Sequence, residues 1–332
     1  MTKLIRTNNR LWISWEEHRR SKELAPVFDC DYHCFDPAGI GALRRYVLNT
    51  IATLRVFYND KPTTVFVQCP SLGLAAVMAI LKLFHPFTYI IDAHNALPNY
   101  EKSSNPILRL AARFVINKAD YVIVTNSELE ATIQRFGGKA LILPDKLPNI
   151  PPRPKPDIIA NCETPVIVVV SSFAWDEPLH NILAGLSLVT APFCAFVSGR
   201  KSKAGDLLNY ESDKIRFTDY IPDEKFEALI QHASLIIDMT IDDRILVCGA
   251  YEAVAVGVPV LLADFPVSRQ LFRKGALFTP NEVLAYQQAI QKHLLEPSTK
   301  KAEIIRFKTA FEATWIDLFT TANQAISLVE SS

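Results

Sequence analysis

The sequence has no excess of either charge and no long apolar run. Lysine plus arginine number 35, and aspartate plus glutamate also number 35. This balance does not favour nucleic acid or a strongly anionic membrane as the main partner. The longest apolar stretch, at 72–83, is interrupted by Lys82 and is too short to span a bilayer. Lys3 and Arg6 are followed by no apolar segment, so we expect no signal peptide.

Several common site motifs are also missing. The six cysteines form no C-x-x-C pair and have no zinc-type spacing with histidine. Several lie in apolar runs, which is typical of free buried thiols in a reducing cytosol. The chain contains neither G-x-G-x-x-G nor a phosphate-binding P-loop, which disfavours a dinucleotide enzyme.

What the sequence does contain favours an α/β protein with two domains. Its 332 residues suit two domains of roughly 150 residues each. Apolar, β-rich runs at 64–68 (TVFVQ), 121–125 (YVIVT) and 166–170 (VIVVV) alternate with helical patterns, which predicts doubly wound parallel sheets. Six prolines between 147 and 165 predict a semi-rigid connector. We therefore predict a first domain at 1–147, a linker at 148–165 and a second domain at 166–332.

The segment 234–264 organises the second domain. Short apolar strands are predicted at 234–238 and 260–263, with a helix between them that begins near Cys248 and Gly249. Tyr251 and Val254 give this helix one buried face, and Glu252 lies in its predicted first turn. A carboxylate is stabilised there by free N–H groups, so one interpretation of Glu252 is a helix-capping acid.

A second interpretation comes from resemblance. Glu252, followed by Gly257-Val258-Pro259-Val260 and a strand, resembles the nucleotide-sugar motif in the second domain of GT-B glycosyltransferases of the group 1 type. The resemblance implies that Glu252 accepts hydrogen bonds from the ribose hydroxyls of the donor. It also implies two Rossmann-like domains that face each other across a cleft. The C-terminal helix is expected either to return to the first domain or to pack on its own domain.

The chain departs from this family at one position. Many retaining members carry another acid eight residues before the glutamate, and Arg244 occupies that position here. Asp242 and Asp243 are close but out of register. The stereochemical outcome of a transfer reaction therefore stays open.

Further donor-binding candidates follow other strands of the second domain. Ser171 and Ser172 lie between a strand and a helix, where hydroxyl and N–H groups suit a diphosphate, although an ordinary capped turn is the alternative. Arg200 and Lys201 could neutralise phosphates without a metal. The resemblance places Tyr220 and Ile221 near the base and Arg244 in the loop that faces the sugar. Cys248 and Gly249 are donor-binding candidates at the start of the helix.

Candidate catalytic residues follow strands of the first domain. The loop after the strand at 11–15 (LWISW) contains Glu17 and His18. The family often places a general base in this loop, and the ordinary pKa of histidine suits that role, so His18 is the first choice and Glu17 the second. His94, in IIDAHNA, resembles a strand-end histidine that lines the donor-sugar site, with Asp92 as an orienting partner. A solvated helix start and a structural histidine are the alternatives.

Together these features predict a glycosyltransferase that moves a sugar from a UDP- or GDP-type nucleotide-sugar to a hydroxyl of a saccharide or lipid-linked acceptor. We expect such an enzyme to act in polysaccharide or glycolipid assembly in the cytoplasm. No D-x-D run follows a strand, and we expect neither a bound metal or cofactor nor a nucleic-acid partner. A nucleotide-sugar epimerase of the same fold and a non-catalytic GT-B binding or scaffold protein are the alternatives.

A further expectation concerns the surface of the first domain. The segment 40–58 has apolar residues at a helical period, including Leu43, Val47 and Ile51, with Arg44 and Arg45 near its start. The two arginines could meet an anionic acceptor or form a solvent-facing stripe. With apolar residues at 81–87, they would permit peripheral association with the inner face of a membrane. Core packing and a solvated surface explain the same residues.

Overall fold

The computed structural model describes residues 9–37, 39, 41–69, 72–93, 97, 100–296 and 298–331. The chain divides into two compact units, which are Met1–Lys146 with Thr314–Ser332 (unit 1) and Leu147–Ala313 (unit 2). Each unit contains a six-stranded sheet whose neighbouring strands are all parallel. The predicted α/β class with two Rossmann-like domains is confirmed. In the described part of the chain, no helix is both long and apolar enough to cross a membrane.

Unit 1 alternates strands and helices along the chain. Its strands are β1 (Arg10–Ser14), β2 (Cys30–Cys34), β3 (Thr64–Gln68), β4 (Thr88–Asp92), β5 (Tyr121–Val124) and β6 (Ala140–Ile142). Its helices are α1 (Arg19–Val27), α2 (Ala42–Asp60), α3 (Leu72–Leu81), α4 (Pro106–Lys118) and α5 (Ser127–Arg135). The central strands β1, β3 and β4 are buried along their whole length, as their apolar runs predict.

Unit 2 repeats this alternation. Its strands are β7 (Val166–Val169), β8 (Cys194–Val197), β9 (Ile215–Phe217), β10 (Leu235–Ile237), β11 (Val260–Ala263) and β12 (Ala276–Thr279). Its helices are α6 (Leu179–Ser187), α7 (Asp223–Gln231), α8 (Cys248–Val256), α9 (Pro266–Leu271) and α10 (Val283–Leu295), followed by the first part of α11 (Ser298–Glu330).

Helix α11 begins in unit 2 and ends in unit 1. The segment Thr314–Ser332, which chain order assigned to the second domain, belongs to unit 1. There the Trp315 indole donates to the carbonyl of Pro144 at 2.9 Å, and Phe319 packs on Phe28 at 5.0 Å between ring centroids. Of the two alternatives for the C-terminal helix, the structure shows its return to the first domain.

Each sheet has one topological switch point. The strand order is β2-β1-β3-β4-β5-β6 in unit 1 and β12-β11-β10-β7-β8-β9 in unit 2. The connections therefore reverse direction between β1 and β3, and between β7 and β10. Ligands of open parallel sheets bind where such a reversal lets the loops diverge at the carboxyl ends of the strands.

Two strands differ from the sequence prediction. The polar run of β2 (CDYHC) does not read as a strand, but it pairs with β1 at the edge of the sheet, where one side is solvated. The pattern at 217–221 (FTDYI) also predicts a strand, but β9 ends at Phe217. Tyr220 and Ile221 therefore lie in the loop that follows it.

A buried ion network fixes the start of α1 in unit 1. The Arg20 guanidinium donates to both carboxylate oxygens of Asp92 (2.9 and 3.0 Å), to Asp145 and to the Leu143 carbonyl at 2.9 Å. Arg20 and Asp92 are both buried. Burial alone would lower the pKa of Arg20, but Asp92 and Asp145 outweigh it and hold that pKa above its usual range.

Replacement of Arg20 by Leu should destabilise unit 1 strongly. The substitution leaves the Asp92 carboxylate buried without its cation, which costs about 3–5 kcal/mol of unfolding free energy. Urea unfolding measures the loss. Arg135→Leu, which breaks the exposed pair with Glu101, is the matched control and should change stability little. Equal losses in the two variants would contradict the role assigned to the network.

Candidate functional site

The carboxyl ends of β7 and β10 meet at the switch point of the second sheet. β7 leads through α6 to β8 on one side, and β10 leads through α8 to β11 on the other. The loops after the two strands therefore diverge and leave a crevice between them. The first loop contains Ser171 and Ser172, and the second leads to α8 and Glu252. This edge of the sheet brings together predicted donor-binding segments of unit 2.

The loop 171–177 is closed by the carboxylate of Glu177. One oxygen accepts hydrogen bonds from Ser171 Oγ (2.7 Å) and Phe173 N (3.0 Å). The other accepts from Ser172 N (2.9 Å) and Ser172 Oγ (2.7 Å). Backbone N–H groups that converge in this way form an anion-binding nest. The serine donors, predicted to face a diphosphate, are thus bonded to an anion that belongs to the chain.

The end of β8 lies against the same loop. Ser171 N donates to Ser198 Oγ at 3.0 Å. Gly199 has a φ of 106°, and a Cβ atom there would lie 2.6 Å from the Ser171 carbonyl oxygen and 2.8 Å from the Phe173 ring. Only glycine fits this position, because both the backbone angle and the space exclude a side chain.

The two basic candidates after Gly199 already have partners on unit 2. Lys201 Nζ pairs with Glu211 at 2.8 Å, and its backbone N–H donates to the Asp219 carboxylate at 2.9 Å. The Arg200 guanidinium lies 5.7 Å from the centroid of the exposed Tyr220 ring. Ile221, next to that ring in sequence, is half-buried.

Helix α8 begins on a buried carboxylate. Gly249 N donates to Asp238 Oδ2 at 2.7 Å, and a Cβ atom on Gly249 would lie 2.5 Å from that oxygen. Asp238 follows β10 directly, and its carboxyl oxygen accepts a hydrogen bond from an N–H group that has no partner within the helix. Glu252 is the fifth residue of α8 and therefore lies beyond the first turn, where the sequence had predicted it. The capping role that we considered for Glu252 belongs to Asp238. Cys248, the first residue of the helix, is exposed.

Four carboxyl groups converge beside this helix start. Burial raises the pKa of Asp238 well above its usual range, the Gly249 N–H opposes the shift, and Glu252, Glu177 and Asp176 raise the pKa further. Glu252 and the two acids of the loop 171–177 therefore lie within electrostatic range of the same carboxyl group. Among the described residues, no group of three or more His, Cys, Asp or Glu side chains is placed to hold a metal ion.

The loop between β10 and α8 is ordered by short-range polar contacts. Thr240 Oγ1 donates to Asp176 Oδ2 at 3.0 Å, which ties this loop to the loop after β7. Arg244 pairs with Asp242 at 3.4 Å and with Asp243 at 3.8 Å. Arg244 is therefore held by the two acids that precede it.

In unit 1, Glu17 and His18 lie at the switch point, between β1 and α1. The Glu17 side chain is exposed and pairs with Lys22 at 3.2 Å. His18 is half-buried and occupies the N-cap position of α1. His94 and Asn95 lie outside the described residues. Asp92, predicted to orient His94, is bonded to Arg20.

Three acids beside the crevice of unit 2 were not predicted from the sequence: Asp176, Glu177 and Asp238. Asp238 carried a usable signal, because it directly follows a buried strand, the same pattern that singled out Asp92. No sequence pattern predicted the role of Glu177, since only the path of the backbone brings its carboxylate back to residues 171–173.

A separate pocket of about 700 Å³ lies in unit 1 at the opposite end of the strands, near the starts of β3 and β4. Phe57, Lys82, Phe87 and Glu330 are among its lining residues. None of the candidate site residues lines it.

The fold is shared with solved structures at low sequence identity. Sucrose-phosphate synthase from Thermosynechococcus elongatus is 14% identical, with a TM-score of 0.75 over 97% of this chain and 99% of that one. Anabaena HepE in complex with UDP-glucose is 16% identical, with a TM-score of 0.71 over 97% and 99%. The lipopolysaccharide outer core galactosyltransferase WaaB is 13% identical, with a TM-score of 0.65 over 96% and 98%. The chain thus has the GT-B fold. No protein-family model and no curated protein sequence matches it.

Asp238→Asn should stabilise unit 2 increasingly as the pH rises. Asp238 has an ordinary pKa when unfolded and a raised one when folded, so its contribution to stability is complete below the unfolded pKa and is lost as the pH rises toward the folded pKa. Asparagine keeps an acceptor for Gly249 N without this loss. Urea unfolding at pH 5 and pH 8 should show a growing advantage, at about 1 kcal/mol per pH unit while one proton separates the two states.

Asp264→Asn is the control for this series. Asp264 is largely exposed, and Arg269 lowers its pKa. Both its folded and unfolded forms are ionised above pH 5, so the stability difference from the wild type should be the same at pH 5 and pH 8. A constant difference for Asp238→Asn over this interval would contradict the raised pKa.

Proposed function

We propose that this chain is a metal-independent hexosyltransferase that moves a sugar from a nucleotide-sugar donor to a hydroxyl acceptor. The observation that carries the proposal is the position of Glu252 beside an anion-binding loop at the switch point of the second sheet. A nucleoside diphosphate presents ribose hydroxyls and an anion, and this crevice has groups that suit both. HepE, which shares the fold, is seen with UDP-glucose.

The donor binds unit 2 in this proposal. Glu252 accepts hydrogen bonds from the ribose hydroxyls, and the N–H groups of residues 172 and 173 receive the diphosphate in place of the Glu177 carboxylate. Arg200 and Lys201 contribute positive charge, and Tyr220 with Ile221 packs by the base. Both UDP- and GDP-type donors fit this scheme.

Three further residues of unit 2 shape the same crevice. Gly249 lets α8 begin against Asp238, which positions Glu252. Cys248 is exposed at the helix start. Arg244, held by Asp242, faces the sugar in this proposal.

The acceptor binds unit 1 in this proposal. His18, or Glu17 in its place, removes the proton of the attacking hydroxyl, and His94 lines the donor-sugar side. The acceptor is a saccharide or a lipid-linked sugar in polysaccharide or glycolipid assembly. The protein works in the cytoplasm, attached peripherally to the inner face of a membrane.

Two observations favour a second candidate, a non-catalytic binding or scaffold protein of the same fold. Glu177 fills the anion nest, and Arg244 replaces the acid of many retaining relatives. Nucleoside diphosphate release across a panel of donors separates the candidates. A transferase releases it when an acceptor is added, an epimerase changes the donor without one, and a binding protein does neither.

Glu252→Ala should weaken binding of the cognate nucleoside diphosphate by about 10- to 100-fold, because charge-assisted hydrogen bonds contribute about 1.5–3 kcal/mol. Isothermal titration with UDP and GDP measures the affinity. Glu312→Ala, at an exposed position of α11, is the control and should leave it unchanged. Equal affinity of Glu252→Ala and the wild type would refute the ribose contact.

His18→Ala should lower kcat by about 10²- to 10⁴-fold if His18 is the general base. The affinity for nucleoside diphosphate should stay at the wild-type level, since the donor binds unit 2. Steady-state transfer assays measure kcat, and isothermal titration measures the affinity for nucleoside diphosphate. Glu17→Gln tests the second choice in the same way. Near-normal turnover in both variants would remove this loop from the mechanism.

A further inference from the structure

Helix α2 buries two polar residues beside Phe57 and exposes several apolar ones. Asn49 and Thr53 are 2% and 0% exposed, and Thr53 Oγ1 accepts a hydrogen bond from the Trp15 indole at 2.9 Å. In contrast, Leu43 is 81% exposed, and Val47 and Ile51 are also exposed. These three side chains follow one another at four-residue intervals, so they form one outward stripe. The apolar period that predicts this helix therefore marks its outer face.

Two neighbouring segments expose apolar side chains in the same way. Phe84, just after α3, is 75% exposed, and Leu83 beside it is exposed as well. In α4, Ile107 and Leu110 are 73% and 70% exposed, and Phe114 one turn later is also exposed. Single exposed apolar residues need no explanation, but three clusters on adjacent elements do.

The three segments lie on one side of the first sheet. The right-handed connections from β2 to β3, β3 to β4 and β4 to β5 all run in the same direction along the strand order, which puts α2, α3 and α4 on one face. Helix α3 lies between the other two and packs against both. At the far end of α2, Tyr58 contacts His85, next to Phe84, with 5.5 Å between ring centroids. We call the exposed residues of α2, 80–84 and α4 the α2–α4 surface.

Positive charge accompanies this apolar surface. Helix α2 contains Arg44, Arg45 and Arg55 and one acid, Asp60. Helix α4 contains three basic residues and no acid: Arg109, Arg113 and Lys118. The whole chain is neutral, so acids elsewhere in the chain balance this local excess.

We propose that the α2–α4 surface docks this protein on an anionic lipid bilayer. Protruding Leu, Ile and Phe side chains enter the boundary between headgroups and acyl chains, and arginines beside them meet the lipid phosphates. A second copy of this chain fits the surface less well, because it would bring arginines against arginines. The inference deepens the proposed function by naming the partner of unit 1, and it rests on that function only for the lipid-linked acceptor.

Vesicle co-sedimentation tests the docking without any sugar transfer, so a failure here is distinguishable from a failure of the proposed function. The wild type should bind vesicles of phosphatidylcholine mixed with phosphatidylglycerol and bind pure phosphatidylcholine much more weakly. The triple variant Leu43→Ser, Phe84→Ser, Ile107→Ser should lose at least tenfold in partition. Arg44→Gln and Arg109→Gln should each lose about fivefold, and added salt should weaken the wild type.

Matched controls come from unit 2. Leu284→Ser with Leu295→Ser removes equally exposed apolar side chains, and Arg216→Gln removes an exposed arginine. These variants should bind like the wild type, and thermal unfolding should show all of them folded. Absence of wild-type binding, equal binding to both vesicle types, or equal losses in the controls would overturn the proposal. So would a dimer in size-exclusion chromatography that the triple variant dissociates, since a second copy would then cover the surface.

Discussion

The candidate donor site depends on one buried hydrogen bond, from Gly249 N to the Asp238 carboxyl group. It joins the end of β10 to the start of α8, and it fixes where Glu252 projects from the next turn. It also gathers negative charge, since Glu252 and two acids of the loop after β7 lie within electrostatic reach of Asp238. A ligand in such a place must bring hydrogen-bond donors. Hydroxyl groups of a ribose or a hexose satisfy this condition, whereas a bare anion does not.

The diphosphate of a donor therefore needs a separate binding place. In the proposed function that place is the loop 171–173, whose converging N–H and hydroxyl groups are bonded to the Glu177 carboxylate in this structure. Replacement of a carboxylate by a phosphate exchanges one anion for another and leaves the backbone turn as it is. The turn is preorganised, so little conformational entropy is lost when the exchange occurs. Glu177 is half-buried, so its carboxylate lies next to solvent.

Much of the fold could be predicted, because buried parallel strands leave continuous apolar runs such as 166–170 in the sequence. The polar edge strand β2 could not, since it lacks that run. For the site, strand ends identified Ser171 and Asp92 as candidates. Their actual partners, Glu177 and Arg20, depend on contacts that no local pattern records. The start of α8 was predicted correctly near Cys248, but its capping acid comes from the end of β10, eleven residues before Gly249, which no local pattern at the helix start indicates.

Helix α2 shows the limit of periodicity most clearly. An apolar repeat of 3.6 residues indicates a helix with two unlike faces, but it does not say which face meets the core. Here the inner face carries Phe57 and the buried hydrogen bond between Trp15 and Thr53, whereas Leu43, Val47 and Ile51 lie on the outer face. The zero net charge of the whole chain does not reveal the positive charge of α2 and α4, since acids elsewhere in the chain balance their arginines. Charge has to be counted helix by helix, because over a Debye length of about 8–10 Å only the local excess acts on a partner.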